Sequence, residues 1–287
     1  MIVSFASGKG GTGKTMLATN LAAVLSARLT TTYVDADVEE PNGHLFLRHD
    51  EARLERAAVS LPKLEGVCTG CGACQKACAF HAILALKDRV MAFPELCHSC
   101  GACCMVCPEQ ALVERPFEIG SLVHARLGAL RLVSGRLDVG QARATPLVEA
   151  VVRAGVRGHE DEMILVDSPP GTSCAAMAAV RHADLVVLVT EPTPFGLNDL
   201  RLAVEMCRAM ERRIVAVVNR ADLGDGEVLH YLEREGIPML GQVPFERSIA
   251  TAYARGELAT TRSGALRAVL DAILAHIELV ALDGSLP

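Results

Sequence analysis

Residues 8–15 read Gly8-Lys9-Gly10-Gly11-Thr12-Gly13-Lys14-Thr15, and this stretch decides the fold. It follows a short apolar run, Ile2–Ala6, and precedes a helical pattern over Thr15–Leu29. A strand, a Gly-x4-Gly-Lys-Thr turn and a helix in that order make a loop that cradles phosphates. The glycines let backbone N–H groups approach an anion, and the helix N-terminus adds the positive end of its dipole. Lys14 would reach the outer phosphates, and the Thr15 hydroxyl would ligate Mg²⁺. A glycine-rich turn of no chemical meaning does not require all three parts in register.

Outward from this loop, short apolar runs recur at Thr32–Val34, Met163–Val166, Leu185–Thr190, Arg213–Val218 and Met239–Val243. Helical patterns lie between most of them, at Cys174–His182, Leu197–Glu211 and Gly226–Glu235, and a last one covers Arg262–Val280. Strands alternating with helices predict an α/β fold with a mostly parallel, right-handed sheet flanked by helices. Hydrophobic residues make up 51% and aromatics 3%, with no Trp, so Ala, Val and Leu build the core. Two acidic motifs fall at strand ends: Asp167 before Ser168-Pro169-Pro170-Gly171, and Asp35-Ala36-Asp37. Asp167 is placed to hold Mg²⁺ through water, with Gly171 meeting the γ-phosphate. Asp37 is placed to orient or deprotonate attacking water.

The alternation breaks between about Leu61 and Val156. Eight of the chain's 11 cysteines fall there in two runs, Cys68-x2-Cys71-x2-Cys74-x3-Cys78 and Cys97-x2-Cys100-x2-Cys103-x3-Cys107-Pro108. The runs repeat at an interval of about 29 residues. This is the bacterial ferredoxin spacing for two 4Fe–4S clusters, in which the fourth cysteine of each run ligates the other cluster. Cys68, Cys71, Cys74 and Cys107 are expected to hold one cluster, and Cys97, Cys100, Cys103 and Cys78 the other. Zinc also accepts C-x2-C pairs, but seldom in an x2-x2-x3 pattern repeated in tandem. Ala79 stands where a proline usually follows the first run, whereas Pro108 follows the second. Cys104 lies outside the spacing and reads as a small buried residue, and Cys207 as core on the helix Leu197–Glu211. After the cysteines, Leu122–Val139 reads as an antiparallel hairpin leading to a helix at Pro146–Ala154.

A formal net charge of -6 without a basic block argues against nucleic acid as a partner. The N-terminus lacks a signal-peptide pattern, and no run reaches the ~18 apolar residues of a membrane span. A cytoplasmic protein without stable membrane insertion is expected, and in a reducing compartment its cysteines read as metal ligands.

Lys9-Gly-Gly-Thr-Gly-Lys14-Thr15 resembles the deviant loop of the MinD and Mrp branch of P-loop ATPases, which includes nitrogenase iron protein and the ParA partition ATPases. The resemblance covers Met1–Gly43 and Met163–Ala254. It implies hydrolysis of ATP to ADP and phosphate, with Lys9, Lys14 and Asp37 as catalytic residues. It also implies a nucleotide-sandwich dimer, homomeric or with a related ATPase, in which Lys9 reaches the partner's phosphates. Gly8, Lys9, Gly10, Gly11, Thr12, Gly13, Lys14 and Thr15 would bind the nucleotide with Asp167 and Gly171. Asn219, in Val217-Val-Asn219-Arg-Ala-Asp222, would contact adenine, and Pro244 in Val243-Pro244-Phe245 would line the base. Asp35 and Asp37 fall in the first switch of that family and Asp167–Gly171 in its second.

With its cysteine runs the whole chain resembles MinD-superfamily ATPases containing an inserted ferredoxin domain. The expected division is an ATPase domain over 1–60 and 117–287 with an insert over 61–116. Cys174, seven residues after Asp167, is similar in position to the cluster-bridging cysteine of nitrogenase iron protein. It reads either so or as a buried structural residue. Two functions follow as expectations: an ATPase whose dimerisation and switch movements gate electron transfer through the clusters to a protein partner, or an Mrp-like carrier serving apo iron–sulfur proteins. Clusters that merely staple the insert, and MinD-like membrane positioning, are weaker readings. The last needs a basic amphipathic tail, whereas Glu278-Leu-Val-Ala-Leu-Asp283 is acidic and apolar.

Overall fold

The computed structural model describes residues 1–49, 51–159, 162–224 and 226–283. Residues 284–287 of the segment assigned above to the ATPase domain lie outside the described residues. In chain order the elements are β1 (Ile2–Ala6), α1 (Lys14–Ser26), β2 (Thr31–Asp35), β3 (Ala52–Leu64), α2 (Ala73–Ala77), β4 (Ile83–Ala85), β5 (Val90–Ala92) and α3 (Ala102–Met105). They continue with β6 (Leu112–Leu127), β7 (Leu130–Leu137), α4 (Ala144–Val156), β8 (Met163–Asp167), α5 (Cys174–Val180), β9 (Leu185–Thr190) and α6 (Pro194–Ala209). The chain closes with β10 (Ile214–Asn219), α7 (Glu227–Arg234), β11 (Met239–Val243), α8 (Arg247–Ala254) and α9 (Gly264–Asp283).

The chain forms two compact units. The first comprises Met1–Glu55, Leu122–Arg136 and Val148–Pro287, and the second Arg56–Ser121 and Leu137–Leu147. In the first, β1 pairs in parallel with β8 and β9, β2 with β8 and β7, and β10 with β9 and β11. The expected parallel α/β sheet is therefore present, with β11-β10-β9-β1-β8-β2-β7 in that order.

Side-chain alternation along each strand decides which helices cover which face. Val3, Phe5, Val187, Val189, Val215 and Val217 pack in one buried cluster with Leu17 and Leu21 of α1, Ile249 of α8 and Leu270 and Ile273 of α9. Their neighbours Ala6, Val186, Leu188, Ala216 and Val218 pack on the other face with Val180 of α5, Leu200 and Val204 of α6 and Leu232 of α7.

Three features depart from the expected organisation. The hairpin read over Leu122–Val139 is longer, its strands turning at Gly128 with φ 58°, and β7 is fused in parallel to β2. β3 was not foreseen, because Arg53, Glu55, Arg56 and Pro62 give it the charged, Pro-bearing composition of an edge strand. α8 is eight residues long, too short to stand out by periodicity alone.

In the second unit, β4 and β5 form a short antiparallel ribbon pairing Ile83 with Ala92. The core is small: Cys74, Ile83 and Leu112 are buried, flanked by Leu64, Val90 and the sulfurs of Cys78, Cys103, Cys104 and Cys107. The sequence repeat reappears in the backbone. Left-handed φ values occur at Gly70 and Ser99, at Gly72 and Gly101, and at His81 and Gln110, each pair 29 positions apart. Both runs thus turn in the same way around their cysteines, and Ser99 accepts a conformation that glycine adopts at lower cost.

Candidate functional site

The phosphate loop leaves β1 and enters α1 at the carboxyl ends of parallel strands, where ligands bind in open α/β sheets. Its glycines meet specific geometric demands. A Cβ on Gly8 would lie 2.1 Å from the Asp199 carbonyl oxygen, so only glycine lets the loop pass α6. Gly13 caps α1 at φ 101°, and Asn219 Nδ2 donates to the Thr12 carbonyl at 2.8 Å. Lys14 is 6% exposed and its Nζ donates to Ser7 Oγ at 3.0 Å. Burial lowers the pKa of the Lys14 ammonium, opposed by the charges of Asp167 and Asp37.

Strand register brings the acidic groups together. Asp35 of β2 and Asp167 of β8 are direct neighbours, and Phe5 of β1 is opposite Asp167 on the other side. Both carboxyls are buried, and both are pushed up, first by burial; Asp35 is raised further by the charge of Asp167. The neighbouring Thr15 hydroxyl, the Lys14 charge and the hydrogen bond from Tyr33 pull Asp167 back. The Tyr33 hydroxyl donates to Asp167 Oδ2 at 3.1 Å, while Oδ1 is buried without a partner. Asp35 accepts from the Gly43 amide at 2.8 Å. Such a pair, with an orphaned buried oxygen beside a threonine hydroxyl, fits a hard divalent cation, which would relieve the repulsion. Asp37 is half-buried, and its carboxyl is raised to about 6, chiefly by burial and then by Asp167.

Of the expected nucleotide residues, Gly10, Gly11, Gly13, Lys14, Thr15, Asp37, Asn219 and Pro244 line one cavity of about 380 Å³, within the size range of small-molecule sites. Gly8, Lys9, Thr12, Asp167 and Gly171 are not on its wall. The Gly171 amide donates to the Ser7 carbonyl at 2.9 Å, which ties the segment after β8 to the base of the loop. Lys9 is held by Glu191, with Nζ to Oε2 at 3.1 Å, and Arg220 meets the other oxygen of Glu191 at 2.6 Å. Sequence reading missed Tyr33 and Glu191, whose roles come from pairing across strands, and Tyr253 of α8, which joins Phe245 at the cavity wall.

The eight run cysteines gather around two separate cavities of the second unit. Cys68, Cys71, Cys74 and Cys107 line one, with Leu64, Val90 and Glu109. Cys78, Cys97, Cys100 and Cys103 line the other, with Phe80, His98 and Glu114. Each cavity takes three cysteines from one run and the fourth from the other. Among the described residues, no three His, Cys, Asp or Glu side chains form a group that could hold a single metal ion. Cys104 also lines the second cavity and is half-buried, not the fully buried residue that its position suggested. Cys174 is exposed at the start of α5, behind the N-cap Ser173, which removes the reading of it as a buried structural residue. Cys207 is core, 0% exposed. No described helix is long and apolar enough to cross a membrane.

Strand, phosphate loop, helix and the neighbouring carboxylates define a P-loop nucleotide-binding protein. A family model described as the CobQ/CobB/MinD/ParA nucleotide binding domain matches residues 3–259. The chain belongs to that family. A protein of Methanocaldococcus jannaschii is 27% identical over 258 residues, covering 90% of each chain. An iron-sulfur cluster carrier protein of Pyrococcus furiosus is 30% identical over 102 residues, 30% of this chain and 35% of that one. Among solved structures, the septum site-determining protein MinD of Pyrococcus horikoshii, complexed with Mg-ADP, superposes with TM-score 0.59 at 20% identity. That match covers 98% of this chain and 97% of that one, and it is a likeness of fold.

Proposed function

We propose that the chain is an ATPase whose turnover is coupled to electron transfer through two 4Fe–4S clusters held by its eight run cysteines. The single observation that carries the reading is the crossed lining of the two cavities, three thiols from one run and one from the other in each. That donor set fits a cubane, because each thiolate attaches to a separate iron and the four need not converge on one point. When bound, the clusters supply one-electron storage and passage.

The residues of the nucleotide site have separate tasks. The amides of Gly10–Thr15 and the N-terminus of α1 hold the phosphates, and Lys14 neutralises charge on the outer oxygens. Thr15 and Asp167 hold Mg²⁺. Asn219 and Pro244 face the base. Asp37 takes a proton from the attacking water, and Lys9 leaves Glu191 to reach a second subunit's phosphates. In the chain, the cysteine segment lies between Asp37 and the segment from Asp167 to Gly171, the two stretches that contact the γ-phosphate. Residues 61–116 are assigned to the cluster domain on the same grounds.

A raised Asp37 carboxyl gives the base assignment a pH signature. The base must be ionised, so kcat falls about tenfold per pH unit below its pKa of about 6 and levels off above it. The acidic limb, measured as ATP turnover between pH 4.5 and 8, is absent from the residual activity of Asp37→Asn. A flat profile in the parent chain removes Asp37 as the base.

The coupling is tested by a redox titration with EPR detection on the full, reconstituted chain, with and without Mg-ATP. Two 4Fe–4S signals, with a midpoint that moves on adding Mg-ATP, are expected. Unmoved midpoints and an unchanged rate of oxidation sink the coupling. The carrier reading, favoured by the name of the Pyrococcus furiosus relative, requires iron to pass to an apo-acceptor under ATP. Retention of all iron argues against it.

A further inference from the structure

We infer that Arg143 sets the two clusters apart in reduction potential, holding the one bound by Cys78, Cys97, Cys100 and Cys103 at the higher value. The inference rests on the cluster reading proposed above. Arg143 belongs to the second unit through the segment Leu137–Leu147. Its Nη1 donates to the backbone carbonyl of Cys97 at 3.0 Å. Its guanidinium carbon lies 5.7 Å from the centroid of the Phe117 ring. Nε and Nη2 are buried and have no hydrogen-bond partner.

A guanidinium with two buried, unpartnered N–H groups is costly unless a nearby negative charge compensates it. The cation–π contact with Phe117 offsets only part of that cost. A cluster with four thiolates is net negative and gains one more negative charge when a low-potential one-electron donor reduces it. No bond forms or breaks in that step and no proton is taken up. A fixed positive charge against a ligand's carbonyl stabilises the reduced form more than the oxidised one, which raises the potential.

The effect is one-sided. No Lys or Arg side chain lines either cavity, but the Arg143 guanidinium is hydrogen-bonded to a residue of the second, whereas the one charged wall residue of the cavity of Cys68, Cys71, Cys74 and Cys107 is Glu109. In the cavity of Cys97 the opposing charge is Glu114. Arg143 and Glu114 therefore act on the same cluster with opposite sign. Arg143 is a positioning residue for charge, and it ligates nothing.

The test is an EPR-monitored redox titration of the full, reconstituted chain, with dithionite as reductant. Two midpoints are expected in the parent protein, the higher belonging to the signal lost in Cys100→Ser. Arg143→Gln lowers that midpoint alone and narrows the gap. Arg143→Lys, which keeps the charge, lowers it less. Glu114→Gln raises the same midpoint and serves where the Arg143 variants load poorly. One shared midpoint in the parent protein, equal movement of both midpoints, or none in any variant overturns the inference. A parent chain that takes up no iron is a different outcome, because it removes the cluster reading and the inference with it.

Discussion

Lys14→Ala lowers ATP turnover by at least about 10³-fold. Removing one preorganised donor that meets developing charge costs about 10²–10³ in kcat, and in the role proposed for Lys14 the donor is a cation facing the most charged part of the substrate. Few substitutes are close by. Lys9 has the separate task proposed above, and Arg220 is tied to Glu191. The loss does not come from unfolding. Burial lowers the Lys14 pKa, so the ammonium is under desolvation in the folded chain, and its removal leaves the Ser7 hydroxyl still donating to the Lys9 carbonyl at 2.5 Å. Turnover and nucleotide affinity are measured side by side with a thermal melt. Turnover within tenfold of the parent chain, at an unchanged melting temperature, refutes the role.

On the cluster reading proposed above, Cys107→Ser removes the cluster of the first cysteine run, although Cys107 belongs to the second. Iron falls from about eight to about four per chain, since one of two cubanes loses a ligand. The cavity of Cys107 is walled by Cys68, Cys71 and Cys74, so the surviving EPR signal matches that of Cys71→Ser. Cys78→Ser, by the same geometry, pairs with Cys100→Ser. Cys71 and Cys100 are exposed, so replacing either thiol by a hydroxyl opens no cavity in a packed core. A thermal melt of the nucleotide unit alongside the iron assay separates lost ligation from global misfolding. Matching of Cys107→Ser with Cys100→Ser would refute the crossed arrangement.

The nucleotide unit was legible because its signals are local. Strand, glycine loop and helix are contiguous in residues 2–29, and the later strands are apolar runs bounded by turns. Asp35 and Asp167 were named from strand ends alone, and parallel register places them side by side. What sequence could not supply were contacts made across the sheet. Tyr33 meets Asp167 only because β2 and β8 are adjacent, and Glu191 meets Lys9 only after β9 aligns with β1. β3 escaped notice for a chemical reason, since Arg53, Glu55 and Arg56 are what an edge strand carries to discourage further pairing. Cys174 was left between two readings for another reason: a thiol at a helix start reads alike whether it points inward or outward, and its exposure distinguishes the two.

The crossed lining of the cysteine cavities also imposes an order in time. A chain emerging during synthesis presents Cys68, Cys71 and Cys74 first, yet their cavity stays open until Cys107 has been made. The other cavity waits for Cys103 while Cys78 is already present. Both therefore close within five residues of each other, late and nearly together, and a truncation anywhere between residues 75 and 106 leaves the first cavity one thiol short. The repeat behaves as one clasp with two halves, each of which needs a thiol from the other run before it can close.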